Sequence, residues 1–194
     1  MELHETQERI EHAEHAHHQE RKRAALLIII LAVALALAEM AGKEAQFTAL
    51  TYNIDVSDLF AFYQAKTIRS TMLRTATEGA ELLAADPSGK SDAARKRIDD
   101  WNHTIERLDS DPKTGEGRKE LLEHAKVLQE DRDREVHAYH DFEFSAAALQ
   151  LAIVIASAAV ITEVSLLEIV SAIFGVAGVA LAVVGWFAPA LLRL

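Results

Sequence analysis

Residues 169–192 read IVSAIFGVAGVALAVVGWFAPALL, a stretch without a single charged side chain. A helix that spans a bilayer needs roughly 20 mostly apolar residues, and this stretch is long enough. Two further apolar stretches are AALLIIILAVALALA at 24–38 and AAALQLAIVIASAAVI at 146–161. A charged segment lies between the first and second of them. The sequence therefore predicts an all-α membrane protein.

The three apolar stretches predict a layout for the whole chain. Residues 24–38 alone rise only about 22 Å as a helix, so we extend the first span to Gly42 and place Glu39 at its edge, because charges within a bilayer are costly. Glu163 and Glu168 bracket a short turn, which predicts a tight antiparallel pair of spans. The expected fold class is three transmembrane helices with a long extramembrane helical hairpin between the first and second. The predicted segments are a His/Glu-rich tail at 1–23, spans at 24–42, 144–162 and 169–192, and a helical arm at 43–143.

Charge and composition exclude several classes of protein. Residues 42–143 carry 15 Lys and Arg against 21 Asp and Glu, which gives −6 of the formal net charge of −10. An acidic segment is a poor nucleic-acid binder, because that affinity depends on neutralising phosphates. The chain has no cysteine, which excludes disulfides, thiolate catalysis and cysteine-bearing metal sites. No glycine-rich phosphate loop or nucleophile elbow is present. We expect no enzyme activity, no catalytic residues and no cofactor.

The orientation of the chain follows from the basic run Arg21-Lys22-Arg23, directly before the first span. Cytoplasmic flanks of membrane helices carry an excess of Lys and Arg, so the N-terminus is expected in the cytoplasm and the arm outside. A cleaved signal peptide is disfavoured, because the preceding segment is long and acidic.

The arm shows heptad spacing in its first part. Apolar residues at this spacing are typical of a helix that packs along one stripe. We interpret the stripe as the seam of the hairpin and expect the aromatic and leucine residues beside it to contact a neighbouring copy or a local core. The stripe comprises Phe47, Ile54, Ala61, Ile68, Thr75 and Leu82, with Ala65, Met72 and Gly79, and the residues beside it are Phe60, Phe62, Tyr63, Leu73 and Leu83.

The rest of the arm predicts two further helices. Asp86–Gly89 is a strong turn signal and is the expected tip. An amphipathic helix follows, a break occurs around Pro112, and a third helix continues into the second span. Because that third helix must return to the membrane, Pro112 is expected to be an offset rather than a reversal; a break at Asn53–Ser57 and a compact bundle is the alternative. The apolar face of the second helix comprises Ala94, Ile98, Trp101, Ile105 and Leu108, and that of the third Leu121, Ala125, Leu128 and Tyr139.

Small residues recur on one face of the third span. Such a face lets helix backbones approach closely in lipid. We predict that it packs against the second span or against another subunit. Its members are Ser171, Gly175, Gly178, Ala182 and Gly185.

Histidines offer weak candidates for metal binding. His4, His15 and His18 share a helical face in the tail, and histidine with carboxylate at helical spacing can bind zinc or similar ions. A solvated acidic tail is the simpler interpretation. His137 and His140, before the second span, are similarly explained as juxtamembrane polar residues.

The segment Ala61-Phe62-Tyr63-Gln64-Ala65-Lys66-Thr67-Ile68-Arg69 resembles the Tyr-Tyr-Gln-Ala-Lys-x-x-Arg type signature of an uncharacterised bacterial family of small membrane proteins. Phe62 replaces the first Tyr. The resemblance implies the same layout and brings no assigned activity. We expect a bacterial inner-membrane protein that forms a homo-oligomer in the lipid bilayer and whose arm mediates self-assembly or scaffolding. The alternatives are a subunit of an oligomeric channel or transporter, and a pH or metal sensor that uses the tail.

Overall fold

The computed structural model describes the backbone of residues 2–84 and 91–189, and the side chains of residues 22–82 and 92–189. Within those ranges every regular element is an α-helix. They are α1 (Glu2–Ala84), α2 (Ser91–Asp109), α3 (Arg118–Thr162) and α4 (Ser165–Phe187). The predicted tip at Asp86–Gly89 lies outside the described residues.

The helix boundaries follow the breakers in the sequence. No proline occurs in the 83 residues of α1, and the helix is continuous, so the alternative of a break at Asn53–Ser57 is wrong. The predicted break around Pro112 is confirmed, since α2 ends at Asp109 and α3 begins at Arg118. The predicted absence of a break between the third helix and the second apolar stretch is confirmed, because α3 runs without interruption to Thr162.

The connection between α2 and α3 is an ordered turn. The Glu120 carboxylate accepts hydrogen bonds from the Ser110 hydroxyl at 2.5 Å and from the Asp111 backbone N–H at 3.1 Å. The bond from Ser110 holds the pKa of Glu120 below its usual range. A side chain at Gly117 would lie within 2.6 Å of the Ser110 Cα and closer still to the Glu120 carboxylate. Only glycine therefore fits at position 117.

The connection between α3 and α4 is two residues long. Glu163 adopts a left-handed conformation with a φ of 55°, and Val164 is extended with a φ of −93° and a ψ of 107°. The short turn expected after the second span is therefore confirmed, and α4 begins earlier than the predicted third span, at Ser165.

The chain divides into two compact units. The first unit comprises residues 1–48 and 134–194, and the second unit comprises residues 49–133. Of the described helices, α1, α3 and α4 are long and apolar enough to cross a membrane. In the first unit, α1 and α3 share two buried clusters built largely from alanine, which lets their backbones approach closely. The clusters are Leu31, Ala38, Leu149 and Ala152, and Ala41, Ala45, Ala138 and Phe142.

The second unit buries the predicted faces of α2 and α3. Ile98, Ile105 and Leu108 of α2 are buried, as are Leu121 and Ala125 of α3. The apolar pattern of these two helices therefore predicted their packing correctly, because each has one apolar stripe on an otherwise charged surface.

The predicted seam of α1 is wrong. In the second unit the heptad positions Ile54, Ile68 and Met72 are more than half exposed, and the buried face carries Ser70 and Thr77 instead. Ala49 and Val56 are buried at the same seven-residue spacing, so this face mixes apolar and small polar side chains. Tyr63 and Leu73, expected beside the seam, are half-buried, and the side chain of Leu83 lies outside the described residues. We name as the exposed stripe Leu50, Ile54, Ala61, Ala65, Ile68, Met72 and Leu82.

Polar contacts join α1 to the turn between α2 and α3. Arg74 and Arg118 both bind the Asp109 carboxylate, at 2.7 and 3.0 Å. Arg118 also donates a hydrogen bond to the Thr67 hydroxyl at 3.3 Å, and Lys66 lies 3.6 Å from the Glu116 carboxylate. Asp109 thus meets position 74 of α1, whereas Glu116 and Arg118, later in the chain, meet the earlier positions 66 and 67.

Candidate functional site: a packing face, a buried carboxylate and a polar cleft

The small-residue face of α4 lies against α3. The Ser171 hydroxyl donates a hydrogen bond to the Ala152 carbonyl at 2.8 Å, and the Ser145 hydroxyl donates one to the Gly178 carbonyl at 2.7 Å. These pairs run in opposite directions along the two helices, so α3 and α4 are antiparallel. Of the predicted face, Ser171, Gly175, Gly178 and Gly185 are buried and Ala182 is half-buried.

The glycines of this face allow three helices to meet. A Cβ atom at Gly175 would lie 2.7 Å from a methyl carbon of Leu31 on α1, and one at Gly178 would lie 2.7 Å from the Leu149 Cγ on α3. Both distances are too short for a side chain without movement of the neighbours. The two partners expected for this face were the second span and another subunit. The described contacts are with the same chain.

Asp141 is a buried carboxylate that sequence reasoning missed. Its side chain is 5% exposed, and its Oδ2 atom has no hydrogen-bond partner among the described residues. Burial raises the pKa of Asp141, and the nearby His137 and His140 partly oppose that shift. A Cβ atom added at Gly185 would lie 3.0 Å from the Cβ of Asp141. The sequence offered one sign of this burial: Asp141 lies three residues after Ala138 and four before Ser145, so the three share one helical face.

A polar cleft lies between α1 and α3 in the first unit. It has a volume of about 510 Å³. The Gln150 amide donates a hydrogen bond to the Glu39 carboxylate at 3.3 Å, and both side chains are exposed. The sequence placed Glu39 at the edge of a span but gave it no partner. The polar lining comprises Glu39, Lys43, Gln46, Tyr139, Glu143 and Gln150, and the apolar and small lining residues are Ala38, Gly42, Phe142, Ala146 and Ala147.

The sequence that forms these elements matches a known family model. The model of a domain of unknown function, DUF4337, matches residues 20–188. The chain belongs to the DUF4337 family. The DUF4337 match includes all the described side chains of the packing face and the polar cleft. No curated protein and no solved structure shows a significant match.

The histidine candidates receive no structural support as metal ligands. His4, His15 and His18 precede the DUF4337 match, and their side chains lie outside the described residues. Among the side chains that are described, no group of three or more His, Asp and Glu is placed to hold a metal ion. His140 lies 3.6 Å from the carboxylate of Glu143, which lines the polar cleft.

Proposed function

We propose that this protein is a bacterial inner-membrane protein whose second unit is a helical arm that mediates self-assembly or scaffolding. The observation that carries the proposal is the exposed stripe of α1. Ile68 is 52% exposed, Met72 67% and Leu82 80%. Large apolar side chains that recur on one face of a protein surface mark an interaction site, although Asp58, Thr75 and Gly79 interrupt this stripe.

The heptad spacing of the exposed stripe supports a helix as its partner. Residues 54, 61, 68 and 82 fall on one seven-residue repeat, and residues 65 and 72 fall four positions after members of it. Two helices that bury such stripes against each other supercoil with regular side-chain packing. A second copy of α1 offers the same spacing. If the copies share one membrane orientation, their stripes run parallel and in register.

The length of the stripe is sufficient for a specific contact. Residues 50–82 rise about 48 Å along the helix, and a helix is about 10–12 Å wide with its side chains. Two such faces bury roughly 1,000 Å² in total, which is the lower bound for a stable interface. A modest, reversible self-association in the arm is expected from this area, and other contacts would have to strengthen it.

The polar contacts of the second unit support the hairpin form of the arm. Arg74 meets Asp109 at the end of α2, and Thr67 meets Arg118 at the start of α3. This order favours α2 and α3 following each other along α1, with Pro112 in the offset between them. The exposed stripe then lies opposite the face of α1 that bears Ser70 and Thr77.

Substitution of the exposed stripe tests the proposal. Ile68→Glu combined with Met72→Glu is expected to convert the detergent-purified complex to a lower mass, because charges replace the apolar contact. Helix content and melting temperature should be retained, since both positions are exposed. Asn102→Glu, at an exposed position of α2, is the matched control and should keep the mass of the unsubstituted protein. A double variant of unchanged mass would refute the arm as the assembly element.

A further inference from the structure

The polar cleft presents hydrogen-bonding groups where the predicted spans face lipid. Gln150 is the seventh residue of the predicted span 144–162, which places it about 9 Å along the helix from the start of that span. Helical side chains lean towards the N-terminus of their own helix. Glu39 therefore leans into the bilayer, and Gln150 leans out to meet it. Polar residues at such positions almost always face other protein segments or a water-filled cavity rather than lipid.

The Glu39–Gln150 pair has hydrogen-bonding capacity to spare. An amide group offers two N–H donors and a carbonyl acceptor, and a carboxylate has two oxygens. One N–H of Gln150 is used, at 3.3 Å from Oε1 of Glu39. Neither side chain has a second partner in the described part of the chain. Acyl chains supply neither donors nor acceptors, so lipid alone leaves this pair unsatisfied at a considerable cost.

We propose that a second copy of this chain covers the polar cleft, with its own Glu39 and Gln150 facing those of the first copy across a two-fold axis. An isologous contact requires one surface that complements itself. Each Gln150 has a remaining N–H for the carboxylate of the opposite copy, and each Glu39 has a remaining oxygen to accept it. The donors and acceptors of two identical clefts therefore match in number.

The charges of the cleft are also compatible with two copies. Two carboxylates brought together in a medium of low dielectric repel each other. Lys43 lies one helical turn after Glu39 on the same helix, lines the same cleft and has no ion-pair partner among the described residues. Glu39 and Lys43 together have no net charge in either copy, and the third charged residue of the lining, Glu143, is exposed and lies 3.6 Å from His140. The small residues Ala146 and Ala147 let the opposite helix approach closely.

This inference deepens the self-assembly proposed above and rests on it only in that both require more than one copy of the chain. The polar cleft belongs to the first unit, whereas the exposed stripe belongs to the second unit. The two contacts can therefore be tested separately.

Cysteine cross-linking tests where the second copy lies. The chain has no native cysteine, so Ala147→Cys introduces a single thiol at the exposed side of the cleft. Oxidation in native membranes is expected to give a covalent dimer. Val176→Cys, at a site of α4 that is 71% exposed, is the control. It lies two residues from Gly178, which packs against Leu149, so its depth is similar to that of position 147. Absence of dimer for Ala147→Cys, or an equal yield from both variants, would overturn the proposal.

A second experiment tests the polar pair itself. Gln150→Leu is expected to weaken dimer association about tenfold, the combined effect of losing two membrane hydrogen bonds of typical strength. The exchange of Glu39→Gln with Gln150→Glu in one chain keeps the same donors and acceptors and should restore the dimer. Val154→Leu, one turn further along α3 at an exposed position, is the control. If Gln150→Leu behaves like Val154→Leu, the pair does not hold two copies together.

The outcomes separate this inference from the proposed role of the arm. If Ile68→Glu with Met72→Glu dissociates the complex and Gln150→Leu does not, the cleft contact is refuted and the arm stands. If only Gln150→Leu dissociates it, the arm is refuted and the cleft contact stands. A third outcome would identify lipid, rather than a second copy, as the occupant of the cleft. In that case native mass spectrometry finds a bound phospholipid on the unsubstituted protein but not on Gln150→Leu, and Ala147→Cys gives no cross-linked dimer.

Discussion

Gly178→Ala is expected to destabilise the first unit. The new Cβ would lie 2.7 Å from the Leu149 Cγ and 3.1 Å from the Ser145 carbonyl oxygen, so α4 has to move away from α3. Overpacking of this kind costs about 1–3 kcal/mol, and the better helix propensity of alanine offsets about 0.5–1 kcal/mol of it. The net loss is about 1–2 kcal/mol.

The measurement is thermal unfolding of the detergent-purified protein, followed by circular dichroism. For a chain of this size the net loss lowers the melting temperature by about 2–8 °C. Gly79→Ala is the matched control, because a Cβ there meets no atom within 4 Å and only the propensity gain remains. The mass of the complex should not change, since the small-residue face is covered by its own chain. Equal upward shifts in both variants would refute the packing argument.

Asp141→Asn tests the effect of the buried carboxyl on stability. Because the folded state raises the pKa of Asp141, folding favours its protonated form, and stability is lost as pH rises from the ordinary aspartate range through the raised value. The asparagine variant should lack this loss, while Glu143→Gln, at an exposed position, should keep it; parallel pH profiles of melting temperature for Asp141→Asn and the unsubstituted protein would contradict the assignment. Membrane orientation is predicted with the N-terminus inside, the arm outside and the C-terminus outside, so an impermeant thiol reagent applied to intact spheroplasts should label Ser88→Cys and not Glu5→Cys, and the opposite pattern would invert the topology.

Apolar periodicity predicted the helices well but chose the wrong face of one of them. The face of α2 with Ile98 and Ile105 was correct because it is the only apolar stripe on that helix. In α1 the strongest stripe, with Ile68 and Met72, is exposed, while Ser70 is buried. Apolar periodicity predicts only which face of a helix is most hydrophobic. The ion pairs of Arg74 and Arg118 with Asp109 also decide which face of α1 is buried, and they depend on contacts distant in the sequence.

The candidate sites show the same limit. Spacing alone predicted a face with Gly175 and Gly178, because small residues at helical intervals are visible in the sequence. It left the partner open, since the same face fits a helix of the same chain or of another. Gln150 and Glu39 are each visible as polar residues in apolar stretches, but their hydrogen bond joins positions 111 residues apart in the chain. Pairing at that separation depends on the register of α1 against α3.

The two-residue turn at Glu163 and Val164 has a consequence for biosynthesis. A connection of two residues is too short for α3 to insert into the bilayer while α4 remains outside it. The antiparallel pair, with Ser145 bonded to Gly178 and Ser171 to Ala152, is therefore expected to leave the insertion machinery as one hairpin. Each hydroxyl then forms its hydrogen bond to the carbonyl as the pair enters the lipid. A flexible insert that lengthens the turn is expected to let the two helices insert one after the other.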